Sequence, residues 1–427
     1  RGGQLALDNS YVYASTKGPV GSSAPGLGID IQCTDNVSLD NYSDIATNVL
    51  HGVSDDSGGV RITTGHLQVS SSSIQCNAFS GSSTIPASYG NTGDIEINTK
   101  SLLLKNRGGI YNGTGGSGES GDITINTGEL EVVDGGYVFS SAFGGTGNGG
   151  DIVVHADHIL LSNENTPYNA TGVLTQTYWP GTGKAGNVSI SAKSLNMYPA
   201  TEISSATFYL GQAGNVQVAI DGDAYIEGSK ELISNGNRVN TGIFDNTFWY
   251  ADGGNLDFSA ETLEMTTAAG IQVVTLSYGD AGIASLDVGD LYIKDGSYIS
   301  SNGFYGTGGN AGGVIIEADN IVIAGPESSN DPFGADSTGI STSSGIPGGI
   351  GGNIAITTDT LSLTNRSIIT SISRGPGDGG DININAESME VLNGAQINAG
   401  AAGTGSGGVI DIESGSVLVS GVHPDMY

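Results

Sequence analysis

Cysteine, basic residues and long apolar runs are all scarce in this chain. Only two of its 427 residues, Cys33 and Cys76, are cysteine, so the sequence has no disulfide framework. Lys and Arg number 13 against 44 Asp and Glu, and the resulting net charge of −31 disfavours nucleic acid and anionic membranes as partners. No apolar stretch approaches the ~20 residues that a membrane-spanning helix needs. The sequence therefore predicts neither a nucleic-acid-binding protein nor a transmembrane segment.

Glycine, in contrast, is abundant. The chain has 71 Gly and 11 Pro, and charged residues make up 13% of it. Collagen is excluded because the glycines follow no Gly-X-Y period. Ile, Val and Leu recur in alternation with polar residues, which argues against disorder. This composition favours many short strands joined by tight turns.

A repeated phrase organises the chain. It consists of Gly, then Asp or Asn, then two apolar, mostly β-branched residues separated by one position, and we call its first residue the anchor glycine. Five of the steps between anchor glycines equal 28 residues, a regularity that chance does not produce. The anchor glycines are Gly93, Gly121, Gly150, Gly186, Gly214, Gly254, Gly352 and Gly380, with looser copies at Gly28, Gly58, Gly282, Gly312 and Gly408.

Two further apolar clusters keep step with each anchor glycine. In one repeat they are Leu102/Leu104 and Ile110, and each cluster alternates apolar with polar residues, as a strand with one buried face does. Three short strands cannot bury their apolar faces alone, but stacked copies form parallel sheets around one core. We therefore predict an all-β fold, a single right-handed parallel β-helix over 1–427, with about 13 rungs of 28–40 residues and three strands and three sheets per coil.

Four segments make individual rungs longer than the rest. They lie near 70–91, 163–170, 230–241 and 327–338. Insertions at one corner of a solenoid often form the side that meets a partner, and tolerated surface loops are the alternative. Cys33 and Cys76 fall on different predicted walls of the coil, so both are expected to be reduced.

The phrases Gly-Asp-Ile-Asn-Ile-Asn at 380–385 and Met-Glu-Val-Leu-Asn-Gly-Ala-Gln-Ile-Asn-Ala at 389–399 resemble the filamentous-haemagglutinin-type repeats of bacterial exoproteins exported by two-partner secretion. The resemblance covers nearly the whole chain. It implies secretion, a cell-surface location and adhesive or fibre-forming work. An Asn-Pro-Asn-Gly-type segment, typical of that family's export domain, is absent from this sequence.

The residue after the anchor glycine forms a column of Asp and Asn. Three neighbouring aspartates in it, Asp94, Asp122 and Asp151, would repel one another about 5 Å apart unless exposed, protonated or bridged by a cation. Turn formation is one interpretation of this column, and a Ca²⁺ site at the three aspartates is the other. No other cofactor is predicted.

A second column is aromatic and follows the third strand. Stacked rings that close a corner of the coil are the structural interpretation, and a row that binds sugar faces is the functional one. Both tryptophans of the chain belong to it. We call the following residues the aromatic row: Tyr178, Trp179, Phe208, Tyr209, Phe248, Trp249, Tyr250, Tyr278, Phe304 and Tyr305.

No catalytic residues are predicted, because the five histidines are scattered and no nucleophile motif is present. The sequence favours a non-catalytic extracellular fibre or adhesin that binds a host or neighbouring cell surface or its glycans, or that self-associates end to end into filaments. A carbohydrate-active β-helix, acting as a polysaccharide lyase or hydrolase, is the alternative, since this fold also carries such enzymes.

Overall fold

The structure is a computed structural model that describes residues 1–16, 26–50, 53, 55–79, 87–165, 171–230, 240–276, 278–303, 309–326, 338–345 and 348–421. The chain divides into two compact units. The first comprises 1–195 and 200–217, and the second comprises 196–199 and 218–427. Each unit, taken by itself, is a parallel β-helix, and the prediction of one continuous solenoid stays a prediction.

Strands account for all the regular structure among the described residues, and no helix there could cross a membrane. The first unit contains, or shares through β18 and β20, the strands β1 (Gly2–Asp8), β2 (Tyr11–Tyr13), β3 (Leu27–Asp40), β4 (Asp44–Val49), β5 (Gly59–Thr63), β6 (His66–Ser70), β7 (Ser73–Ala78), β8 (Ile95–Asn98), β9 (Ser101–Lys105), β10 (Gly109–Thr114), β11 (Ile123–Asn126), β12 (Glu129–Val133), β13 (Tyr137–Phe143), β14 (Ile152–His155), β15 (His158–Ser162), β16 (Thr171–Tyr178), β17 (Val188–Ala192), β18 (Ser194–Met197), β19 (Thr201–Thr207) and β20 (Val216–Ile220).

The second unit continues with β21 (Asp223–Glu227), β22 (Gly242–Thr247), β23 (Leu256–Thr266), β24 (Gly270–Thr275), β25 (Ala284–Lys294), β26 (Tyr298–Gly303), β27 (Val314–Ala324), β28 (Gly339–Ser344), β29 (Ile354–Thr364), β30 (Ile368–Ser373), β31 (Ile382–Leu392), β32 (Gln396–Ala401) and β33 (Ile410–Ser420).

Equivalent strands of successive rungs pair in parallel and in register. The apolar residue after the anchor glycine illustrates this, because Ile123 pairs with Ile95 on one side and with Ile152 on the other. The third strands behave in the same way, with Ile110 of β10 opposite Val138 of β13. This register stacks each apolar position on its own copy in the next rung, which confirms the predicted parallel β-helix.

The first two strands of a rung share one sheet, and the third strand belongs to another. The prediction of three separate sheets is therefore wrong. In the second unit the first two strands even fuse, since β23 runs unbroken over 11 residues. Only four residues separate the apolar pair Leu256/Phe258 from the pair Leu263/Met265. The same four-residue spacing separates Ile95/Ile97 from Leu102/Leu104 in the first unit, where β8 and β9 remain separate strands, so the spacing alone does not decide the fusion.

The core is apolar on the first sheet and mixed on the second. Ile95, Ile97 and Leu104 are completely buried. On the third strands, however, every apolar inward residue is followed two positions later by an inward residue that is usually Ser or Thr. In the rung before Gly380, the hydroxyl of Ser371 accepts from the Gly380 amide at 2.9 Å and donates to the Gly352 carbonyl at 2.8 Å. The buried hydroxyls thus satisfy the backbone of the anchor turns.

Close backbone contact explains the anchor glycine. A methyl group on Gly121 would lie 2.5 Å from the carbonyl oxygen of Gly93 in the preceding rung, so no larger residue fits there. The two cysteines form no disulfide, as the sequence predicted, with Cys76 buried and Cys33 partly exposed.

The predicted insertions lie partly outside the described residues, at 80–86, 166–170, 231–239 and 327–337. Three of the insertions lead into a third strand whose first residues lie within the described ranges. In each case the strand opens with a Thr-Gly pair. Gly172, Gly242 and Gly339 have φ of 149°, 148° and 156°, a conformation that glycine alone adopts readily. The Thr-Gly pair therefore marks where a long rung rejoins the regular coil.

Candidate functional site

In the first unit the aromatic row forms a stack at the ends of three third strands. The rings of Tyr178 and Phe208 are 5.3 Å apart and 7° from parallel. Phe143, which ends β13, lies 5.1 Å from Tyr178 on the other side. Because Phe143 and Tyr178 pair in register, the rings follow each other from rung to rung. The structure thus brings Tyr178 and Phe208 of the predicted row together with Phe143 in one ladder.

Trp179 and Tyr209 extend this ladder outward. Their rings meet edge to face with centroids 6.4 Å apart. Trp179 is 69% exposed, which is unusual for the largest apolar side chain and leaves most of the ring open to a ligand. Tyr209, which contacts Trp179, is half-buried, as are Tyr178 and Phe208 of the adjoining stack.

The second unit carries its own part of the row. The rings of Tyr250 and Tyr278 stack at 4.6 Å with 12° between their planes, and Trp249 lies 5.9 Å from Tyr250. Trp249, Tyr250 and Tyr278 are 47%, 54% and 45% exposed, whereas Phe248 is half-buried. The remaining members of the predicted row, Phe304 and Tyr305, lie outside the described residues.

Three aromatic residues that the sequence analysis missed widen the surface of the first unit. Tyr111 stacks on Phe139 at 5.6 Å, Tyr137 meets Phe139 edge to face at 6.5 Å, and Phe139 touches Tyr178 at 6.4 Å. All three lie at outward positions of β10 and β13, where alternation normally places polar residues. Aromatic residues at the polar positions of Tyr137-Val138-Phe139 were the available signal.

Polar groups border this aromatic surface. The hydroxyl of Tyr178 donates to Oε1 of Gln176 on the same strand. Burial, together with the charge of Glu202, raises the pKa of Tyr178 to about 12, so this phenol stays protonated at neutral pH. Burial likewise raises the pKa of the half-buried Glu202 to about 7. The surface therefore combines exposed ring faces with an amide, a phenol and a carboxyl group that titrates near neutral pH.

The column after the anchor glycine forms a hydrogen-bonded ladder. The amide of Asp122 donates to Oδ1 of Asp94 at 2.9 Å, and the amide of Asn187 donates to Oδ1 of Asp151 at 2.7 Å. In the second unit, Oδ1 of Asn353 likewise accepts a hydrogen bond from the amide of Asp381 at 2.9 Å. The shared role of Asp and Asn explains why the column tolerates either residue.

A second ladder, absent from the sequence-based interpretation, lies two residues before the anchor glycine. Oδ1 of Asn91 accepts from the amide of Glu119 at 2.7 Å, and Oδ1 of Asp280 accepts from the amide of Asn310 at 2.8 Å. Asp, Asn and Glu at this position were visible in the sequence, but the variety of residue types hid the column.

Metal binding at Asp94, Asp122 and Asp151 stays a prediction. One oxygen of each carboxylate accepts a hydrogen bond from a backbone amide of the next rung, so a cation bound at that oxygen would share it with this bond. Across the described ranges, no group of three or more His, Cys, Asp and Glu side chains is placed to hold a metal ion.

The outer bend of the second unit forms a shallow acidic groove. Its cavity of about 400 Å³ is lined by carboxylates from neighbouring strands, among them Asp287, Glu317, Asp319, Asp359 and Glu387. These residues occupy two lines along the bend, because Asp287 pairs with Glu317 while Asp319 follows one pleat later. No local sequence pattern marks this groove, because its carboxylates come from rungs about 30–40 residues apart in the chain.

Comparisons with known protein families, with curated proteins and with solved structures find no match for this chain. The filamentous-haemagglutinin resemblance thus stays a prediction. The feature that bears most directly on function is the set of stacked, partly exposed aromatic rings in each unit.

Proposed function

We propose that this protein is a non-catalytic, extracellular or cell-surface β-helical adhesin or structural fibre that binds carbohydrate on its aromatic row. The observation that carries the proposal is the repeated exposure of stacked rings at the same position of the rung. The exposed Trp179 contacts Tyr209 next to the Tyr178–Phe208 stack, and the exposed Trp249 contacts Tyr250 of the Tyr250–Tyr278 stack.

Aromatic rings that pack on a neighbouring ring and remain partly exposed suit sugars for a physical reason. The apolar C–H face of a pyranose packs against an aromatic face, while neighbouring polar side chains bond its hydroxyl groups. In the first unit the amide of Gln176 and the carboxyl group of Glu202 border the rings. Rungs spaced by about 4.8 Å repeat the rings along the coil, which favours a chain of sugars over a single one.

The charge of the protein favours an uncharged glycan. A net charge of −31 repels polyanions such as polyuronates or sulfated polysaccharides at low ionic strength. Neutral polysaccharide on a host or neighbouring cell is therefore the partner we propose. End-to-end self-association stays a prediction, and negative-stain microscopy of the purified protein would test it.

Substitution of the exposed rings tests the proposal. We expect the double variant Trp179→Ala/Trp249→Ala to lose binding to neutral glycans on an array, because both units lose their most exposed ring. Tyr292→Ala is the control, since Tyr292 lies at a half-buried position of β25, in the sheet of the first two strands and not at the end of a third strand. Undiminished binding by the double variant would show that the row does not bind sugar.

A carbohydrate-active enzyme is the second candidate, favoured by the acidic groove. Glycosidases hold two carboxyl groups about 5–10 Å apart, and strands in this groove place several carboxylates at neighbouring positions. Release of reducing ends from neutral polysaccharides by the wild type, and its loss in Glu317→Gln, would support this candidate over a non-catalytic adhesin.

A further inference from the structure

A notch in the outer surface of the first unit has the composition of a sugar site. Its cavity of about 400 Å³ lies where the turn after the second strand leads into the third strand of successive rungs. Every lining residue carries a phenol, hydroxyl, amide, guanidinium or carboxyl group, and no aliphatic side chain takes part. Such a lining suits a ligand that is covered in hydroxyl groups rather than a lipid or an apolar molecule.

Register explains the shape of the notch. The first outward residues of five third strands align as Tyr11, Asp44, Ser73, Gly109 and Tyr137. Asp44 and Ser73 therefore form the open floor, and a tyrosine stands at each end, with the Tyr137 ring lying over Gly109. Four rung steps of about 4.8 Å separate the two tyrosines by roughly 19 Å along the coil. Because the Tyr137 ring lies over Gly109, the open stretch spans about three rung steps, or roughly 14 Å, which is long enough for a short oligosaccharide segment.

The charged groups of the notch differ in their availability. Asp44 is only 7% exposed, and its two oxygens accept from the Ser73 hydroxyl at 2.7 Å and the Gln75 amide at 2.6 Å. The guanidinium of Arg107 is exposed, and among the described residues it makes no ion pair or hydrogen bond. Its fixed fork of donors is thus free to hold the oxygens of a ligand.

One cation and one buried carboxylate leave the notch close to neutral overall. The surrounding protein carries a net charge of −31, which opposes the approach of a polyanion. The chemistry that fits the notch is therefore an uncharged, hydroxyl-rich chain whose ring faces pack on tyrosine.

The notch also adjoins the aromatic row. Tyr137 meets Phe139 edge to face at 6.5 Å, and Phe139 meets Tyr178 at 6.4 Å. An aromatic path therefore leads from the notch to the Tyr178–Phe208 stack within the first unit.

We infer that the notch between Tyr11 and Tyr137 is a second subsite for a neutral oligosaccharide, in which Arg107 bonds the sugar hydroxyls. This inference rests on the proposed carbohydrate binding and extends it to a longer stretch of glycan than the row alone would hold.

Calorimetric titration of the full chain with cellohexaose, mannohexaose, xylohexaose and hexagalacturonate tests the notch. We expect Arg107→Gln to weaken the binding of the preferred neutral hexasaccharide about tenfold or more, because a charged donor to the ligand is lost. Tyr11→Ala should weaken it as well. Arg366→Gln is the matched control, because Arg366 follows Asn365 in the equivalent turn of the second unit, with φ of 59° against 64° for Arg107.

The outcomes separate the two proposals. Wild-type affinity in both Arg107→Gln and Tyr11→Ala, with binding lost in Trp179→Ala/Trp249→Ala, would refute the notch and leave the row intact. Tighter binding of hexagalacturonate than of every neutral ligand would refute the assignment to an uncharged sugar. Binding of none of the oligosaccharides would count against both sites. Equal melting temperatures of Arg107→Gln and Arg366→Gln would establish that the loss is not one of folding.

Discussion

The backbone amide of Asp151 donates a hydrogen bond of 2.8 Å to Oδ1 of Asp122, one rung away. Asp122 therefore holds the backbone of Asp151 in place. Its carboxylate lies in the column between those of Asp94 and Asp151. Burial, and the charges of Asp151 and Asp94, raise the pKa of Asp122.

We predict that Asp122→Asn and Asp122→Ala have opposite effects. Asn keeps the acceptor and removes the repulsion, so the free energy of unfolding at neutral pH should stay equal or rise slightly. Ala leaves the Asp151 amide without its partner and should cost about 0.5–1 kcal/mol. Chemical denaturation measures both. In Asp381→Asn the neighbouring ladder residue is Asn353, so this control should show no gain.

The same substitution has a pH signature. The native state holds the proton on Asp122 more tightly than the unfolded chain does, so ionisation of Asp122 disfavours folding. Its unfavourable contribution shrinks as the pH falls from the raised native pKa toward about 4, the ordinary value. The advantage of Asp122→Asn over the wild type should therefore shrink over that range, and an advantage that grows on acidification would contradict this explanation.

A separate prediction concerns calcium binding by the column of Asp and Asn residues that follows the anchor glycines. If the ladder alone organises Asp94, Asp122 and Asp151, chelation of divalent cations should leave the melting temperature unchanged. A calcium-dependent rise that Asp122→Asn abolishes would instead establish the metal site.

Sequence patterns predicted the strands and the apolar inward positions of each rung better than they predicted its inward polar residues and its surface sites. The anchor glycine and the pairs Ile95/Ile97 and Leu102/Leu104 identify inward positions, because burial of alternate apolar residues leaves a periodic trace. The inward Ser371 left no such trace, since its burial depends on backbone groups of Gly352 and Gly380 that only the coil brings near. The notch likewise depends on the register of residues about 30 positions apart.

Gly109 is predicted to be sensitive to substitution because of Tyr137. A methyl group on Gly109 would lie 2.3 Å from the Tyr137 ring in the next rung, so the ring must move and leave the end of the notch. We expect Gly109→Ala to cost about 1–3 kcal/mol of stability, measured by urea denaturation. A methyl group on Gly313 would have no contact closer than 3.5 Å, so Gly313→Ala should be nearly neutral. Equal stability of the two variants would show that Tyr137 does not rest on Gly109.

Asp245 gives a prediction about alkaline pH. It is completely buried, and one oxygen accepts from the Gly254 amide at 3.1 Å while Oδ2 has no partner among the described residues. Burial raises the pKa of Asp245 far above its ordinary value, so the native state keeps a proton that the unfolded chain loses above about pH 4. Stability should therefore fall with rising pH from there up to the native pKa, by at most about 1.4 kcal/mol per pH unit.

Asp245→Ser tests this, because Ser301 and Ser371 occupy the same inward position in other rungs of the unit. The variant should lose the part of the pH dependence of stability that Asp245 causes. Its free energy of unfolding should therefore exceed that of the wild type at alkaline pH. Asp257→Ser, at an exposed position of β23, serves as the control. Parallel pH profiles for wild type and Asp245→Ser would mean that Asp245 is ionised in the native state.

Both tryptophans of the chain lie in the aromatic row, so their fluorescence reports on the proposed binding surface alone. The most direct test is therefore a titration of Trp179→Phe and Trp249→Phe, each with one remaining tryptophan, with neutral hexasaccharides. We predict a saturable change of emission in both variants, with the same ligand preference as calorimetry finds for the wild type. Emission that stays constant in both while calorimetry detects binding, or an absence of binding altogether, would contradict carbohydrate recognition by the row.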